Sequence, residues 1–296
     1  DLKSTALFAQ GALYFGGTVA EGKFTPRDAY DALEAGVNMH IAKGGFSPIG
    51  NAETAKATVR DLDTLTARLP TQSRRTEETV EFQQFSTPPA YAYVAAWTAN
   101  INTTDEVLEP SAGNGGLAVF ARAGGAKRVA VNELADRRAD MLRLQRFDKV
   151  YTENAEQLNN ILPASEKPTV VIMNPPFSAT AGRTEARDQD TGSKHVLQAL
   201  ARLQEGGRLV AILGKGMGPL TQTYRRFTDK LGDGYTIRAN VGIAGKVYQK
   251  YGTTFDTRIL VIDKMAATEG HKPKITTAET LESAIIALEE IRNGRI

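Results

Sequence analysis

Cysteine is absent from the chain. Its absence excludes disulfide bonds, a thiolate nucleophile and cysteine-ligated zinc, and it fits a reducing compartment. The three histidines, His40, His195 and His271, are scattered without the spacing of metal ligands. We therefore predict no metal site and interpret the histidines as structural or surface residues.

Long apolar runs and a strong net charge are also lacking. No run approaches the length of about 20 residues that spans a bilayer, so we expect no membrane segment. A net charge of +2 over 296 residues means that any basic surface for nucleic acid must be local. Because the sequence begins with Asp1 rather than Met, we expect a trimmed start, and the lack of a targeting signal carries no weight.

Changes in local pattern predict three regions. Residues 1–80 predict a helical extension, with one helix from Thr25 to Ala42 and another from Ala52 to Leu69. Residues 81–265 alternate apolar strands with helices, which is typical of an α/β domain. Strands over 235–241 and 257–262, joined by a loop alone, predict an antiparallel hairpin that closes a mostly parallel sheet. Residues 266–296 predict a helical tail, with a helix from Thr276 to Ile291.

The sequence Asn174-Pro175-Pro176-Phe177 follows a buried apolar strand over 169–173. Two successive prolines fix the backbone and remove two donors, so the strand ends in a stiff, extended corner. This corner presents an amide oxygen, a proline carbonyl and an aromatic face at the edge of the sheet where ligands bind in α/β folds. The alternative is a loop in which the prolines only end the strand and Phe177 belongs to the core.

A glycine-rich turn follows a second predicted strand. The strand over 105–109 leads into Pro-Ser-Ala-Gly-Asn-Gly-Gly at 110–116, and a helix starts at Leu117. Glycine lets the backbone approach a ligand, and the helix amino end offers free N–H groups. Glu133 ends the next strand, 24 residues after Glu109, where nucleoside-binding sheets place a carboxylate for ribose hydroxyls. The alternative for Glu133 is an exposed carboxylate.

Two other segments bear on the site. The strand over 149–152 is followed by Asn154, a small polar residue that can accept from an exocyclic amine. The polar segment 178–193 predicts a mobile, functional loop next to the corner. We reject a phosphate loop at Gly214-Lys215-Gly216, because the preceding glycine and the following Ser or Thr are missing.

Together these motifs resemble the amino-methyltransferases of DNA that use S-adenosylmethionine. The resemblance covers residues 82–264 and rests on the Phe-Ser-Thr-Pro element at 85–88, the turn at 109–115, Glu133, Asn154-Ala155 and Asn-Pro-Pro-Phe at 174–177. The order of the motifs is similar to that in the gamma group of adenine-N6 enzymes and in type I modification subunits. It implies an α/β fold with a Rossmann-like, seven-stranded sheet, mostly parallel with one antiparallel strand.

The resemblance also implies roles for individual residues. The cofactor would be contacted by residues of four segments: Thr87, Pro88, Glu109, Pro110, Ser111, Ala112, Gly113, Gly115, Glu133, Leu134, Asn154 and Ala155. The catalytic corner would be Asn174, Pro175, Pro176 and Phe177, with Asn174 and the Pro175 carbonyl accepting from the target amine. Phe177 and Tyr248 would stack on an adenine flipped out of the duplex. A partly buried loop tyrosine is the alternative for Tyr248.

Enzymes with one fixed recognition sequence carry a sizeable target-recognition domain, and none is evident here. We therefore expect DNA as substrate with relaxed specificity, or a separate specificity subunit or further domains. The N-terminal 80 residues and the loop 178–193 are the candidates for DNA contact. A methylase region of a larger phage or mobile-element anti-restriction protein, in a bacterial or infected-host cytoplasm, would fit this pattern.

Two alternatives stay open at this point. Asn-Pro-Pro-Phe also occurs in enzymes that methylate guanine N2 in RNA, and a related motif occurs in enzymes that act on a protein glutamine. The other alternative is a non-catalytic module that binds nucleic acid or a partner on a methyltransferase scaffold. The intact asparagine and glycine turn argue against that module.

Overall fold

Short buried apolar segments build one central sheet. The structure is a computed structural model that describes residues 1–70, 87–176, 190–245 and 256–295, with the backbone alone at 179–180 and 187–188. The strands are β1 Glu106–Glu109, β2 Arg128–Asn132, β3 Lys149–Tyr151, β4 Val170–Met173, β5 Ala179–Thr180, β6 Arg187–Asp188, β7 Arg208–Gly214, β8 Thr236–Ile243, β9 Thr257–Asp263 and β10 Lys274–Ala278.

The sheet has the strand order β10-β8-β9-β7-β4-β1-β2-β3. Strands β3, β2, β1, β4 and β7 pair in parallel, whereas β9 is antiparallel to both β7 and β8. The predicted hairpin of β8 and β9 is therefore confirmed. The chain winds from β1 out to β3 on one side and then returns to β4 on the other side, so the topological switch point lies between β1 and β4.

The sheet has eight strands rather than the predicted seven. The additional strand, β10, pairs in parallel with β8, with Lys274 opposite Ala239 and Ala278 opposite Ile243. It occupies the start of the segment for which we expected only a helix. Its residues are mostly exposed, so the sequence shows no alternating apolar pattern there, and backbone pairing with the edge of β8 decides its structure.

The helices are α1 Ser4–Phe15, α2 Pro26–Lys43, α3 Ala52–Ala67, α4 Pro89–Ala99, α5 Ala118–Ala123, α6 Asp136–Leu144, α7 Leu158–Ile161, α8 Thr191–Arg202, α9 Gln222–Leu231 and α10 Leu281–Asn293. Two short 3₁₀ helices cover Ala155–Gln157 and Lys215–Met217. The predicted start of α2 is confirmed: Thr25 caps the helix by accepting from the Asp28 N–H at 3.2 Å, and Pro26 is the first helical residue.

Two apolar clusters lie on opposite faces of the sheet. One joins the sheet to residues of α3, α4 and α10, including Leu62, Trp97 and Leu288. The other joins the sheet to α7, α8 and α9, including Leu158 and Phe227. Helix α4 is buried along Ala90–Ala99, as expected for a helix that is apolar on all sides. Helix α3 therefore shares a core with the α/β domain, and the predicted boundary at residue 80 falls outside the described residues.

The segment after the Asn-Pro-Pro sequence has partial secondary structure. Ala179 pairs antiparallel with Asp188 between β5 and β6, and α8 begins at Thr191. The loop predicted over 178–193 is therefore wrong at its carboxyl end. Helix α9, between β7 and β8, was not predicted; Thr221 caps it by accepting from the Tyr224 N–H at 3.2 Å.

Candidate active site

Two chain segments meet at the switch point between β1 and β4. The glycine turn, residues 110–116, follows β1, and the Asn-Pro-Pro corner, residues 174–176, follows β4. Because β1 and β4 are parallel neighbours, their carboxyl ends lie at the same edge of the sheet. Ligands of open α/β sheets bind in the crevice at this position.

The glycine turn is tightly wound. The Gly115 N–H donates to the Ala112 carbonyl at 2.7 Å, and the Ala112 N–H donates to the Asn132 carbonyl at 2.8 Å. Gly113 and Gly115 have φ values of 54° and 87°, which strain any residue with a side chain. The turn therefore needs glycine at both positions.

Close packing adds a second reason for glycine at position 115. A Cβ atom there would lie 3.0 Å from both Leu142 Cδ2 and Phe147 Cε2. These two side chains belong to the buried core behind the turn. One side of the turn therefore packs directly against the core.

Glu133 follows β2 and contacts the glycine turn. Its Oε2 accepts from the Gly113 N–H at 2.9 Å, and its Oε1 accepts from the Ala135 N–H at 3.0 Å. The side chain is buried, so the alternative of an exposed carboxylate is wrong. Each carboxylate oxygen keeps a second lone pair, which can accept from a ligand hydroxyl.

Glu109 lies beneath the same turn and is 1% exposed. Its Oε2 accepts from the Ala118 N–H at 2.7 Å. Burial raises the pKa of the Glu109 carboxyl well above its usual value, the Ala118 hydrogen bond opposes this, and the nearby Glu133 charge raises the pKa further. A ligand with positive charge beside the turn would oppose this shift, because it would stabilise the ionised form of Glu109.

Asn132 links the segments after β1 and β3. Its Nδ2 donates to the Pro110 and Glu153 carbonyls, both at 2.9 Å, and its Oδ1 accepts from the Glu153 N–H at 2.8 Å. No sequence motif predicted a role for this residue. A polar residue at the end of a buried strand was the signal that could have identified it.

The segment after β3 is held by Asn154 itself. Its Oδ1 accepts from the Glu156 N–H at 3.0 Å and begins the 3₁₀ helix. Asn154 is exposed, Ala155 is buried, and Leu134 beside Glu133 is 63% exposed. A contact of these residues with an adenine ring stays a prediction.

The Asn-Pro-Pro corner is fixed by a long-range hydrogen bond. Asn174 Nδ2 donates to Thr87 Oγ1 at 2.7 Å. Asn174 Oδ1 is shielded from solvent and has no hydrogen-bond partner among the residues that the structure describes. Pro175 is buried and Pro176 is half-buried, whereas Phe177 lies outside the described residues.

Thr87 lies between the corner and the glycine turn. Besides its bond to Asn174, its carbonyl oxygen is 3.9 Å from the position of a Cβ built on Gly116. Pro88 follows it and is buried at the start of α4. The predicted Thr-Pro element thus joins both halves of the site, while Phe85, Ser86 and Tyr248 lie outside the described residues.

His195 also reaches the glycine turn. Its Nδ1 lies 3.5 Å from Ser111 Oγ. Burial, followed by the charge of Lys194, lowers the pKa of His195 to about 4, so the ring is neutral at pH 7. The interpretation as a structural or surface residue did not anticipate this contact.

Three solved structures are similar to the chain in fold. A protein described as a modification subunit of a type I restriction enzyme from Vibrio vulnificus matches with a TM-score of 0.53 and 16% identity, over 84% of this chain and 59% of that one. A protein described as a class I S-adenosylmethionine-dependent methyltransferase from Listeria monocytogenes matches with a TM-score of 0.52 and 14% identity. The match covers 98% of this chain and 90% of that one. A protein described as an RNA methyltransferase from Pyrococcus horikoshii matches with a TM-score of 0.51 and 20% identity. The match covers 71% of this chain and 99% of that one.

At these identities the matches show a shared fold, the Rossmann-like sheet of class I methyltransferases, as the sequence predicted. This chain spans 59% of the length of the Vibrio vulnificus modification subunit. No family model and no curated protein matches the sequence. Across the described residues, no helix combines the length and apolar character needed to cross a membrane.

Proposed function

We propose that this chain is a methyltransferase that moves the methyl group of S-adenosylmethionine to the N6 amine of adenine in DNA. The proposal rests on Asn174 Oδ1, which is shielded from solvent and accepts no hydrogen bond from the described part of the chain. A buried acceptor without a partner costs free energy, on the order of 1–3 kcal/mol, unless a ligand satisfies it. An amino group of a substrate base is a donor that would do so.

The residues of the glycine turn fit this cofactor. Gly113 and Gly115 would let the backbone approach a ligand, and the carboxyls of Glu109 and Glu133 lie against the turn. The positive charge of the cofactor would favour the ionised form of Glu109. Glu133 would hold the ribose hydroxyls, the turn and Thr87 would surround the methionine end, and Asn154 with Ala155 would face adenine. When bound, the cofactor supplies an electrophilic methyl group.

The corner would prepare the amine for attack. An aryl amine is a poor nucleophile, because its lone pair is delocalised into the ring. Asn174 Oδ1 and the Pro175 carbonyl would accept from the two N–H bonds and favour a more tetrahedral nitrogen. The transfer forms one N–C bond, breaks one S–C bond and releases one amine proton to solvent. Positioning and electrostatics suffice for rate enhancement, without a covalent nucleophile.

Adenine N6 lies within the stack of duplex DNA, so the base must be flipped out. Phe177 and Tyr248 would stack on it, which is a proposal from the sequence resemblance alone. The Phe-Ser-Thr-Pro element favours DNA adenine as the acceptor. We further propose relaxed sequence specificity or a separate specificity subunit, as in a type I or phage anti-restriction system.

Guanine N2 in RNA is the second candidate acceptor. One solved structure with the same fold is described as an RNA methyltransferase, and an Asn-Pro-Pro corner serves any planar amine. The two candidates differ in the methylated nucleoside, which is directly measurable.

The test is methylation of unmethylated DNA and of RNA with radiolabelled S-adenosylmethionine, followed by digestion to nucleosides. We expect N6-methyladenine from DNA with the wild type and a loss of about 100-fold or more with Asn174→Ala, because the amine loses its acceptor. Calorimetric binding of S-adenosylhomocysteine to both proteins is the control. Label in guanosine of RNA would favour the second candidate, and label in neither nucleic acid would contradict both.

A further inference from the structure

One face of helix α2 contacts the glycine turn. The residues that make this contact, Asp31, Glu34 and Asn38, are three and four positions apart, so they share one side of the helix. We call them the α2 polar face. They are at least 76 residues from their partner Asn114 along the chain. From the sequence, the region that contains α2 was a candidate for DNA contact, with no predicted role in the cofactor site.

The backbone of the glycine turn is held by two side-chain amides. The Asn114 carbonyl accepts from Asn38 Nδ2 at 2.7 Å and from Gln145 Nε2 at 2.8 Å. Asn38 and Gln145 are 5% and 7% exposed. A carbonyl with both lone pairs engaged by buried donors cannot rotate without breaking a hydrogen bond that water cannot replace.

The side chain of Asn114 is held as well. Its Nδ2 donates to Asp31 Oδ1 at 3.0 Å and to Glu34 Oε2 at 2.6 Å. Arg137 then connects the same helix to the start of α6: its NH2 lies 2.6 Å from Asp31 Oδ2, and its NH1 lies 2.7 Å from Asp28 Oδ1. Helix α6 begins three residues after Glu133, so α2 contacts the glycine turn directly and also the helix that follows Glu133.

The turn needs such external support. Asn114 stands between Gly113 and Gly115, which are free to adopt many backbone conformations in the absence of restraint. In the observed conformation the Gly113 N–H donates to Glu133 Oε2 at 2.9 Å. Support from a helix that begins with a capping box at Thr25 reduces the entropy that the turn would lose on binding a ligand.

We infer that the α2 polar face positions the cofactor-binding turn, so that Asp31, Glu34 and Asn38 are positioning residues for the cofactor site. This inference rests on the proposed function for the identity of the ligand. According to this inference, the α2 polar face contacts the interior of the protein and does not contact DNA. The effect should appear in cofactor affinity and in the rigidity of the turn, rather than in stability alone.

The test compares Asn38→Ala and the nearly isosteric Asn38→Asp with Asn51→Ala. Asn51 is a matched control, because its Oδ1 caps α3 by accepting from the Thr54 N–H at 3.0 Å, outside the cofactor site. We expect the Asn38 variants to weaken S-adenosylhomocysteine binding by roughly 5- to 50-fold. Asn51→Ala should bind S-adenosylhomocysteine with an affinity within about twofold of that of the wild type, although its Tm should fall about as much as that of the Asn38 variants.

Hydrogen exchange of the ligand-free proteins separates this inference from the proposed function. We expect the amides of residues 110–116 to exchange faster in the Asn38 variants than in the wild type or Asn51→Ala. The inference would be overturned if the Asn38 variants showed wild-type exchange in residues 110–116. It would also be overturned if the wild type bound S-adenosylhomocysteine and the Asn38 variants bound it equally well. A wild type that does not bind S-adenosylhomocysteine would overturn the proposed function, and the exchange result would still decide the role of α2.

A second variant covers the case in which Asn38 substitutions prevent folding. Arg137→Gln removes the bridges from α6 to Asp28 and Asp31, and the Arg137 side chain is 41% exposed, so the core stays intact. We expect it to weaken cofactor binding several-fold and to increase exchange in the turn. Wild-type behaviour in both measurements would contradict the inference.

Discussion

Asn174 donates a 2.7 Å hydrogen bond to the hydroxyl of Thr87, a residue 87 positions earlier in the chain. This bond decides how the Asn174 amide is oriented, because the nitrogen faces Thr87 and the oxygen is left for another partner. Thr87 also lies beside Gly116 of the glycine turn. One threonine therefore links the proposed positions of the methyl donor and of the acceptor amine.

The first prediction concerns this link. Thr87→Val keeps the shape of the side chain but removes the acceptor, so the Asn174 amide loses its orientation. We expect kcat for methyl transfer to fall about 10- to 100-fold, which corresponds to about 1–3 kcal/mol. Thr87→Ser keeps the hydroxyl and should retain most of the activity. Equal activity of the valine and serine variants would show that the bond has no role in catalysis.

The second prediction concerns Gly115. Alanine there would adopt a strained φ of 87° and place a Cβ 3.0 Å from Leu142 and Phe147. We expect Gly115→Ala to lose about 2–4 kcal/mol in the free energy of unfolding and to abolish cofactor binding. Urea denaturation and calorimetry measure the two effects.

Gly206 is the matched control for Gly115. It has a φ of 75°, but a Cβ there would meet no described atom within 4 Å. Gly206→Ala should cost only about 1–2 kcal/mol, from strain alone, and should leave cofactor binding unchanged. If both alanine variants lose the same stability, close packing behind the turn is not important.

The third prediction follows from the buried His195. Its pKa is about 4 in the folded protein, below the unfolded value of 6.5. The unfolded chain therefore binds more protons than the native state between these pH values, and stability falls as the pH decreases from 6.5 to 4. At about 1.36 kcal/mol per pKa unit, the contribution of His195 to the free energy of unfolding is about 3 kcal/mol. His195→Gln should flatten this part of the stability profile.

Denaturation midpoints between pH 4 and pH 8 measure the effect of His195. The exposed His40 provides the control variant His40→Gln, for which we expect the wild-type slope. A wild-type slope in His195→Gln would mean that other groups cause the acid destabilisation.

The fourth prediction concerns Glu109, whose pKa moves in the opposite direction. A folded pKa above the usual 4.5 means that the native state holds the proton more tightly than the unfolded chain. Stability therefore falls as the pH rises from 4.5 through the folded pKa. Glu109→Gln keeps an acceptor for the Ala118 N–H and should remove this loss, so it should be at least as stable as the wild type at pH 8.

The same Glu109→Gln variant should bind S-adenosylmethionine no more tightly than the wild type, because a cationic ligand favours the ionised form of Glu109 and glutamine cannot ionise. Equilibrium dialysis at pH 8 measures this affinity. Glu156→Gln, at an exposed position, should change neither stability nor binding. Stronger binding by Glu109→Gln would contradict a cationic ligand at the turn.

Local sequence was sufficient for most elements of the α/β domain. Strands β1, β4, β8 and β9 contain mostly buried apolar residues, and the local pattern predicted them. The glycine turn and the Asn-Pro-Pro corner are equally local, because glycine and proline restrict the backbone by their own chemistry. Strand β10 was missed, because an exposed edge strand needs no apolar pattern.

The site itself depends on contacts that no local pattern contains. The sequence determined that a glycine turn and an Asn-Pro-Pro corner would each end a parallel strand, and hence that both would lie at one edge of the sheet. Tertiary structure alone decided that Thr87 orients Asn174 and that α2 holds Asn114, since these pairs are separated by 87 and up to 83 residues. Such hydrogen bonds depend on how helices pack around the sheet, and a single sequence carries no signal for that packing.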